Sequence, residues 1–203
     1  MALIIYGSPR SRTMRTLWAA EELGLDYEHR AVAWDDPWLK SPEFLAINPA
    51  GSIPAIVDDG FALAESLAIN LHLVRKYGSG GEAALHPDGP DGEALAWRWS
   101  LWVQGNLEPW VQGDQLWSQV LAPIRGAATP LIDRALAFLD AELRRGPWLI
   151  AERFTVADLN VAAVLSPSRA RTLDLDPYPN LRNWLARCYG RPAARAVRAR
   201  FTA

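Results

Sequence analysis

A chain of 203 residues, half of them hydrophobic and 22% charged, can bury two modest cores without cross-links or metals, which excludes disorder and a disulfide-stapled miniature. A formal net charge of −2 supplies no field to recruit nucleic acid or an anionic membrane surface. Cys188 is the single cysteine, so neither an internal disulfide nor a thiol pair for metal or redox work is available.

The opening MALIIYGS lacks the charged leader and small-residue cleavage site of an export signal, and no apolar run approaches membrane-spanning length. The expected address is the cytoplasm, with no membrane partner. Ala2–Tyr6 reads as a buried strand, and Arg12–Leu23 as a helix stopped by Gly24. Tyr27–Ala33 follows as a second strand, then a short helix over Pro42–Ile47 that Asn48-Pro49-Ala50-Gly51 must break. Ala55–Val57 and Phe61–Leu63 flank Asp58-Asp59-Gly60 in the manner of a hairpin, and Ser66–Tyr77 closes the series as a helix. The order β-α-β-α-β-β-α is a thioredoxin-like α/β arrangement.

Gly78–Gly92 is dominated by glycine, proline and acidic residues and reads as a linker. Beyond it the pattern is all-α, with helices expected over Glu93–Gln104, Thr129–Arg144, Val156–Leu165 and Asn180–Tyr189. Thr155 through Asp158 fits an N-capping box, with Phe154 as its hydrophobic staple. Arg187, Arg191, Arg195, Arg198 and Arg200 crowd the C-terminal region without interleaved base readers, which predicts a solvated helix face and no nucleic-acid partner. His29, His72 and His86 are scattered, so no metal is expected.

Three segments, YGSPRSRTMRTLWAAEELGLDYE, NPAGSIPAIVDDGFALAESLAINLHLVRKY and FTVADLNVAAVL, are similar in order and spacing to segments of the cytosolic glutathione S-transferase superfamily. The motifs resemble most the bacterial, serine-using, phi- and theta-like classes. The resemblance spans nearly the whole chain, strongly in the first half and around Phe154–Leu165, weakly in the Trp-rich helices. It implies a thioredoxin-like glutathione-binding domain over 1–78, a linker over 79–90, and an all-helical domain over 91–203 that holds an apolar second substrate. It also implies a homodimer and a role in detoxification.

The resemblance assigns a glutathione subsite. Ile53–Pro54 matches a cis-proline turn whose backbone pairs with a peptide-like ligand, as an added strand would, with Ser52 just before it. Ser52 stands where related classes carry a longer amide or basic residue, and His72 where an aromatic is common. Read without the family, Pro54 simply begins an edge strand. Glu65 and Ser66 lie at a helix N-terminus, where the dipole and free N–H groups favour the γ-glutamyl carboxylate; Ser66 is equally an N-cap. Lys40 matches a contact to the glycine carboxylate, against the plain reading of a solvated lysine.

A thiol with a reference pKa of about 8.5 is only a few per cent ionised at neutral pH, so the enzyme must stabilise the thiolate. By resemblance Ser11 is the hydroxyl that does so, with Ser8 next and Thr13 third; Ser11 or Thr13 could instead only cap the helix. Arg12 adds positive charge nearby, and Tyr6, inside the strand, reads as core. No cysteine occupies this loop, and Cys188 reads as a buried, inert thiol, so thiol-transfer chemistry is excluded. Of the tryptophans Trp97, Trp99, Trp102, Trp110 and Trp117, not all can face one way; Trp102, Asn106 and Trp110 are the candidates for the electrophile site, expected in the cleft between domains. The leading function is glutathione transfer to an apolar electrophile. The alternatives are a glutathione-dependent isomerase or dehalogenase, and a non-catalytic transferase-like protein that carries ligands or docks a partner.

Overall fold

A computed structural model describes residues 2–78, 84–111, 125–150, 152–167 and 173–200. It divides into two compact units, residues 1–86 with 191–203, and residues 87–190.

The first unit is built on strand β1 (Leu3–Tyr6), helix α1 (Thr13–Glu22), strand β2 (Glu28–Arg30), a 3-10 turn (Pro37–Lys40), helix α2 (Pro42–Ile47), strands β3 (Ala55–Asp58) and β4 (Phe61–Ala64), and helix α3 (Ser66–Tyr77). Each element of the expected thioredoxin-like order is present. The four strands lie in the order β2-β1-β3-β4, with β1 parallel to β2 and the other neighbours antiparallel. β2 is shorter than the seven residues its apolar pattern predicts. The β3–β4 connection is the tight hairpin expected: Asp58 pairs with Phe61, and Asp59 and Gly60 both take positive φ, 50° and 89°.

Strand alternation sorts the core. Tyr6 and Ala55 point to a cluster with Leu39 and Phe44, against which Ile4, Trp38, Ile53 and Val57 pack. On the opposite face of the sheet α1 and α3 pack on each other, burying Leu17, Trp18, Ile69 and Leu73. The helix starts follow from their caps: Asp36 Oδ1 accepts from Trp38 N at 2.9 Å, and Ser41 Oγ from Phe44 N at 3.2 Å with Pro42 behind it.

The second unit holds helices α4 (Gly89–Asn106), α5 (Glu108–Val111), α6 (Arg125–Glu142), α7 (Val156–Val164) and α8 (Pro179–Tyr189), with α4 packed along α7. α4 begins at Gly89, inside the expected linker, because Pro90 is a favourable first-turn residue. α6 starts a turn before its expected start at Thr129, which puts Pro130 inside the helix. α7 carries the expected capping box, with Thr155 and Asp158 bonded reciprocally.

The C-terminal helix α9 (Pro192–Ala199) departs from the expected division, in which 91–203 forms one domain: it packs on α1 in the first unit. The arginines expected to face solvent explain this. Arg191 makes two bonds of 2.8 Å to the nearly buried Glu22 carboxylate, and Arg200 pairs with Glu21 and Tyr27. Arg187, in the second unit, donates to the Pro147 carbonyl at 2.8 Å. No helix among the described residues is long and apolar enough to cross a membrane.

Candidate functional site

Three segments of the first unit converge around the loop between β1 and α1. Gly7 ends β1 with φ of 129°, and a Cβ there would lie 2.1 Å from Thr13 Oγ1 and 3.0 Å from Ile53 Cβ. Only glycine lets the strand end, the helix entrance and the turn before β3 approach so closely. His29 Nε2 donates to the Gly7 carbonyl at 2.8 Å and pins the same point from β2.

The hydroxyls of the loop form a directed chain. Ser11 Oγ lies 2.7 Å from the Ser8 carbonyl, which can only accept, so Ser11 donates there. The 2.8 Å contact between Ser11 Oγ and Thr13 Oγ1 is then a bond donated by Thr13. Thr13 N also donates to Ser11 Oγ, at 3.1 Å. Ser11 is half-buried and Thr13 fully buried. Ser8 Oγ accepts from Arg10 N at 3.2 Å and closes the turn, while Arg12 is exposed at the start of α1.

The Ile53–Pro54 peptide is cis, and β3 begins at Ala55 directly after it. Two side chains hold the approach to this turn. Asn48, buried, donates from Nδ2 to the Ser52 carbonyl at 2.7 Å and to Ser52 Oγ at 3.3 Å, and its Oδ1 accepts from Ala50 N. Lys40 Nζ donates to the Gly51 carbonyl at 2.9 Å, so it is tied to the backbone rather than only solvated. Gly51 has φ of 58°, and a Cβ there would lie 2.6 Å from Lys40 Nζ and 2.8 Å from the Leu39 carbonyl. The short Ser52 thus comes with a buried amide behind it, and that pairing was not legible from spacing.

After the hairpin, Glu65 holds φ of 71°, a left-handed conformation uncommon in non-glycine residues that persists only where its surroundings dictate it. Ser66 opens α3 and is buried; its Oγ accepts from Arg15 Nη1 at 3.3 Å. Arg15, on α1, is 1% exposed and was not singled out from the sequence. Its sequence signal was faint: an arginine between Met14 and Leu17-Trp18 in a helix whose first turn holds no acidic partner. His72, standing where an aromatic is common, is partly exposed and bonds to the buried carboxylate of Asp58 at 2.8 Å.

The candidates for the electrophile lie in the second unit. The Trp102 ring packs edge-on against Trp99, with centroids 5.3 Å apart, and against Phe138. Asn106 Nδ2 donates to the Trp102 carbonyl at 2.9 Å, within its own helix. Trp110 is half-buried on α5, and Trp117 lies outside the described residues. Tyr6 is buried in the core against Trp38 and Phe44. Among the described residues no group of three or more His, Cys, Asp or Glu is placed to hold a metal.

A cis-proline turn, a hydroxyl-rich loop at a helix entrance and a residue of positive φ before a second helix all belong to the thioredoxin-like first unit. Comparison with known proteins gives the family. The models described as "Glutathione S-transferase, N-terminal domain" and "Glutathione S-transferase, C-terminal domain" match residues 9–76 and 108–187. Glutathione S-transferase D7 of Drosophila melanogaster is 30% identical over 190 residues, 90% of this chain and 82% of its own length. A delta-class glutathione transferase of Nilaparvata lugens superposes with a TM-score of 0.81 at 27% identity, over 98% of both chains. A glutathione S-transferase from Pseudomonas fluorescens gives 0.78 at 27%, over 94% of this chain and 96% of the other. The chain belongs to the glutathione S-transferase family.

Proposed function

We propose that this chain transfers glutathione to an apolar electrophile and that Ser11 is the hydroxyl that stabilises the reacting thiolate. The observation that carries the reading is the hydrogen-bond chain at the entrance of α1, in which Thr13 donates to Ser11 and Ser11 donates onward to Ser8 O. When a thiolate lies beside this loop, Ser11 turns its proton from the carbonyl to sulfur while Thr13 and the Thr13 N–H continue to hold its oxygen. The magnitudes suffice. Lowering the thiol pKa by about two units requires about 2.7 kcal/mol. A hydrogen bond to a charged acceptor supplies about 1.5–3 kcal/mol and a helix N-terminus about 0.3–1 kcal/mol.

The remaining contacts follow from the peptide character of the ligand. The Ile53 backbone before Pro54 pairs with the cysteinyl unit, Glu65 and Ser66 take the γ-glutamyl end, and Lys40 and Ser52 border the glycyl end. Arg12 adds charge at the loop. The thiol proton passes to solvent; the sulfur forms its bond to carbon, and either a halide leaves an aryl carbon or an unsaturated carbonyl takes up a proton at its α-carbon. Trp102 and Trp110 supply aromatic surface for a flat electrophile, with Asn106 as a polar neighbour. We place the protein in the cytoplasm as a homodimer. Exposed Phe61 in the first unit, and Trp97 and Leu101 in the second, give apolar surface suited to a two-fold contact.

The deciding experiment is the ultraviolet thiolate band of the glutathione complex as pH is varied, for wild type, Ser11→Ala and Ser8→Ala. A lowered thiol pKa that only Ser11→Ala returns towards its solution value sustains the reading. An unchanged thiol pKa in the wild-type complex sinks it in favour of a ligand-binding protein.

A further inference from the structure

The chemistry above leaves Arg15 unused. Its guanidinium is fully buried on α1, carries five N–H donors and no acceptor, and keeps its charge at any ordinary pH. Where Nη1 meets Ser66 Oγ at 3.3 Å, the serine oxygen must therefore be the acceptor. The Ser66 proton is left to be given to a further acceptor. Ser66 is also the first residue of α3, whose first turn holds no acidic side chain and whose leading N–H groups have no intrahelical partner. The preceding Glu65, at φ of 71°, delivers the chain into this position through a conformation that costs stability and that the surrounding structure must hold. A buried cation, a hydroxyl whose oxygen is occupied, and the positive end of a helix thus meet at one place.

We propose that Arg15 is a positioning residue for the α-carboxylate at the γ-glutamyl end of the bound peptide thiol. By donating to Ser66 Oγ, it directs the Ser66 proton onto that carboxylate, and its fixed charge lies behind the same point. The proposal rests on the transferase reading and adds to it a cause for the preference for a γ-glutamyl ligand. A purely structural Arg15 would join α1 to α3 and affect every ligand equally.

The test is calorimetric titration of the full chain with glutathione and with 4-aminobutyryl-cysteinylglycine, which is glutathione without that carboxylate. Wild type, Arg15→Met, Arg15→Lys, Ser66→Ala and the Arg15→Met/Ser66→Ala pair are compared, with thermal melts to establish folding. Wild type is expected to favour glutathione over the analogue by about a hundredfold, the scale of two charge-assisted hydrogen bonds. Arg15→Met shrinks that ratio to about tenfold or less with little change in the analogue's affinity, Arg15→Lys falls between, and Arg15→Met adds little once Ser66 is alanine. Equal weakening of both ligands by Arg15→Met, or an unchanged ratio, overturns the proposal. Should Arg15→Met fail to fold, Arg15→Lys decides: it lowers the ratio several-fold with Ser66 present and not in Ser66→Ala, and an equal fall in both overturns the proposal. Wild-type protein that binds both ligands equally overturns the role of Arg15 and leaves the transferase reading standing. Wild-type protein that binds neither ends both.

Discussion

Two buried aspartates, one in each unit, show how differently the same side chain is used. Asp58 ends β3 and accepts from Tyr77 at 2.6 Å, His72 at 2.8 Å and Lys76 at 3.0 Å, all on α3. Burial works against its ionisation, but the bonds from Tyr77, His72 and Lys76 outweigh it, and its pKa lies below the ordinary carboxylate range. Asp158 stands at the start of α7 and accepts from Leu149 N, Thr155 N, Thr155 Oγ1 and Trp184 Nε1. Burial pushes it up, and four neutral donors do not bring it back down. Burial alone does not set the direction in which a carboxylate's pKa moves; here the presence of a cation among its partners does.

The largest effect should come from Asp158→Ala. It leaves the Trp184 indole, two backbone N–H groups and the Thr155 hydroxyl without their acceptor and removes half of the capping box. A loss of about 3–5 kcal/mol is expected in urea unfolding. Asp158→Asn, which keeps one acceptor, should lose about 1–3 kcal/mol. If alanine and asparagine lose equally little, the network does not hold the second unit together.

Next in size is the pH dependence of stability, which should separate the two aspartates by sign. Asp58, lowered on folding, contributes stability that is present above its unfolded pKa of about 3.9 and is lost as pH falls through the folded value. Asp158, raised on folding, favours the folded state below about pH 3.9, and that contribution is lost as pH rises through its folded value. Urea midpoints measured across acid pH should therefore fall less steeply on acidification in Asp58→Asn than in wild type. The deficit of Asp158→Asn should shrink as pH rises. Parallel profiles for the two variants would remove the distinction between them.

Much of the first unit was legible because its signals are local. The Asp59-Gly60 turn, the break at Gly51, the proline after Ile53 and the serine and threonine at the α1 entrance each name their own conformation. What was not legible depends on partners distant in sequence. Arg15 and Ser66 are 51 positions apart, and Arg191 and Glu22 are 169 apart. No periodicity marks either pair, so the burial of Arg15 was not read at all, and a C-terminal helix read as part of the second domain proved part of the first unit. In the second unit the capping box was readable from four residues, whereas the Trp184 indole that completes it was not.

At the candidate site, Ser11→Ala should lower kcat/KM by about ten- to a hundredfold, equivalent to about 1.4–2.7 kcal/mol of transition-state stabilisation, while the protein stays folded. Ser8→Ala should be nearly silent, because the part of Ser8 that Ser11 uses is its carbonyl, which alanine retains. A loss on Ser8→Ala equal to that on Ser11→Ala would transfer the role between them.

The smallest effect, and the one most specific to the geometry, belongs to Thr13. Its hydroxyl donates to Ser11 Oγ, so it cannot reach sulfur itself while it holds that bond; it keeps the Ser11 oxygen occupied and leaves the Ser11 proton to be given away. Thr13→Val preserves shape but removes the donor, and should raise the pKa of the bound thiol and lower kcat/KM by about three- to tenfold, the scale of one neutral hydrogen bond. Thr13→Ser, which restores the hydroxyl, should return both towards wild type. Because Thr13 also packs beneath Gly7, a stability loss is expected from either variant, but only valine should move the thiol titration. If both variants leave that titration in place, Thr13 supports the loop by packing alone, and Ser11 acts without a donor behind it.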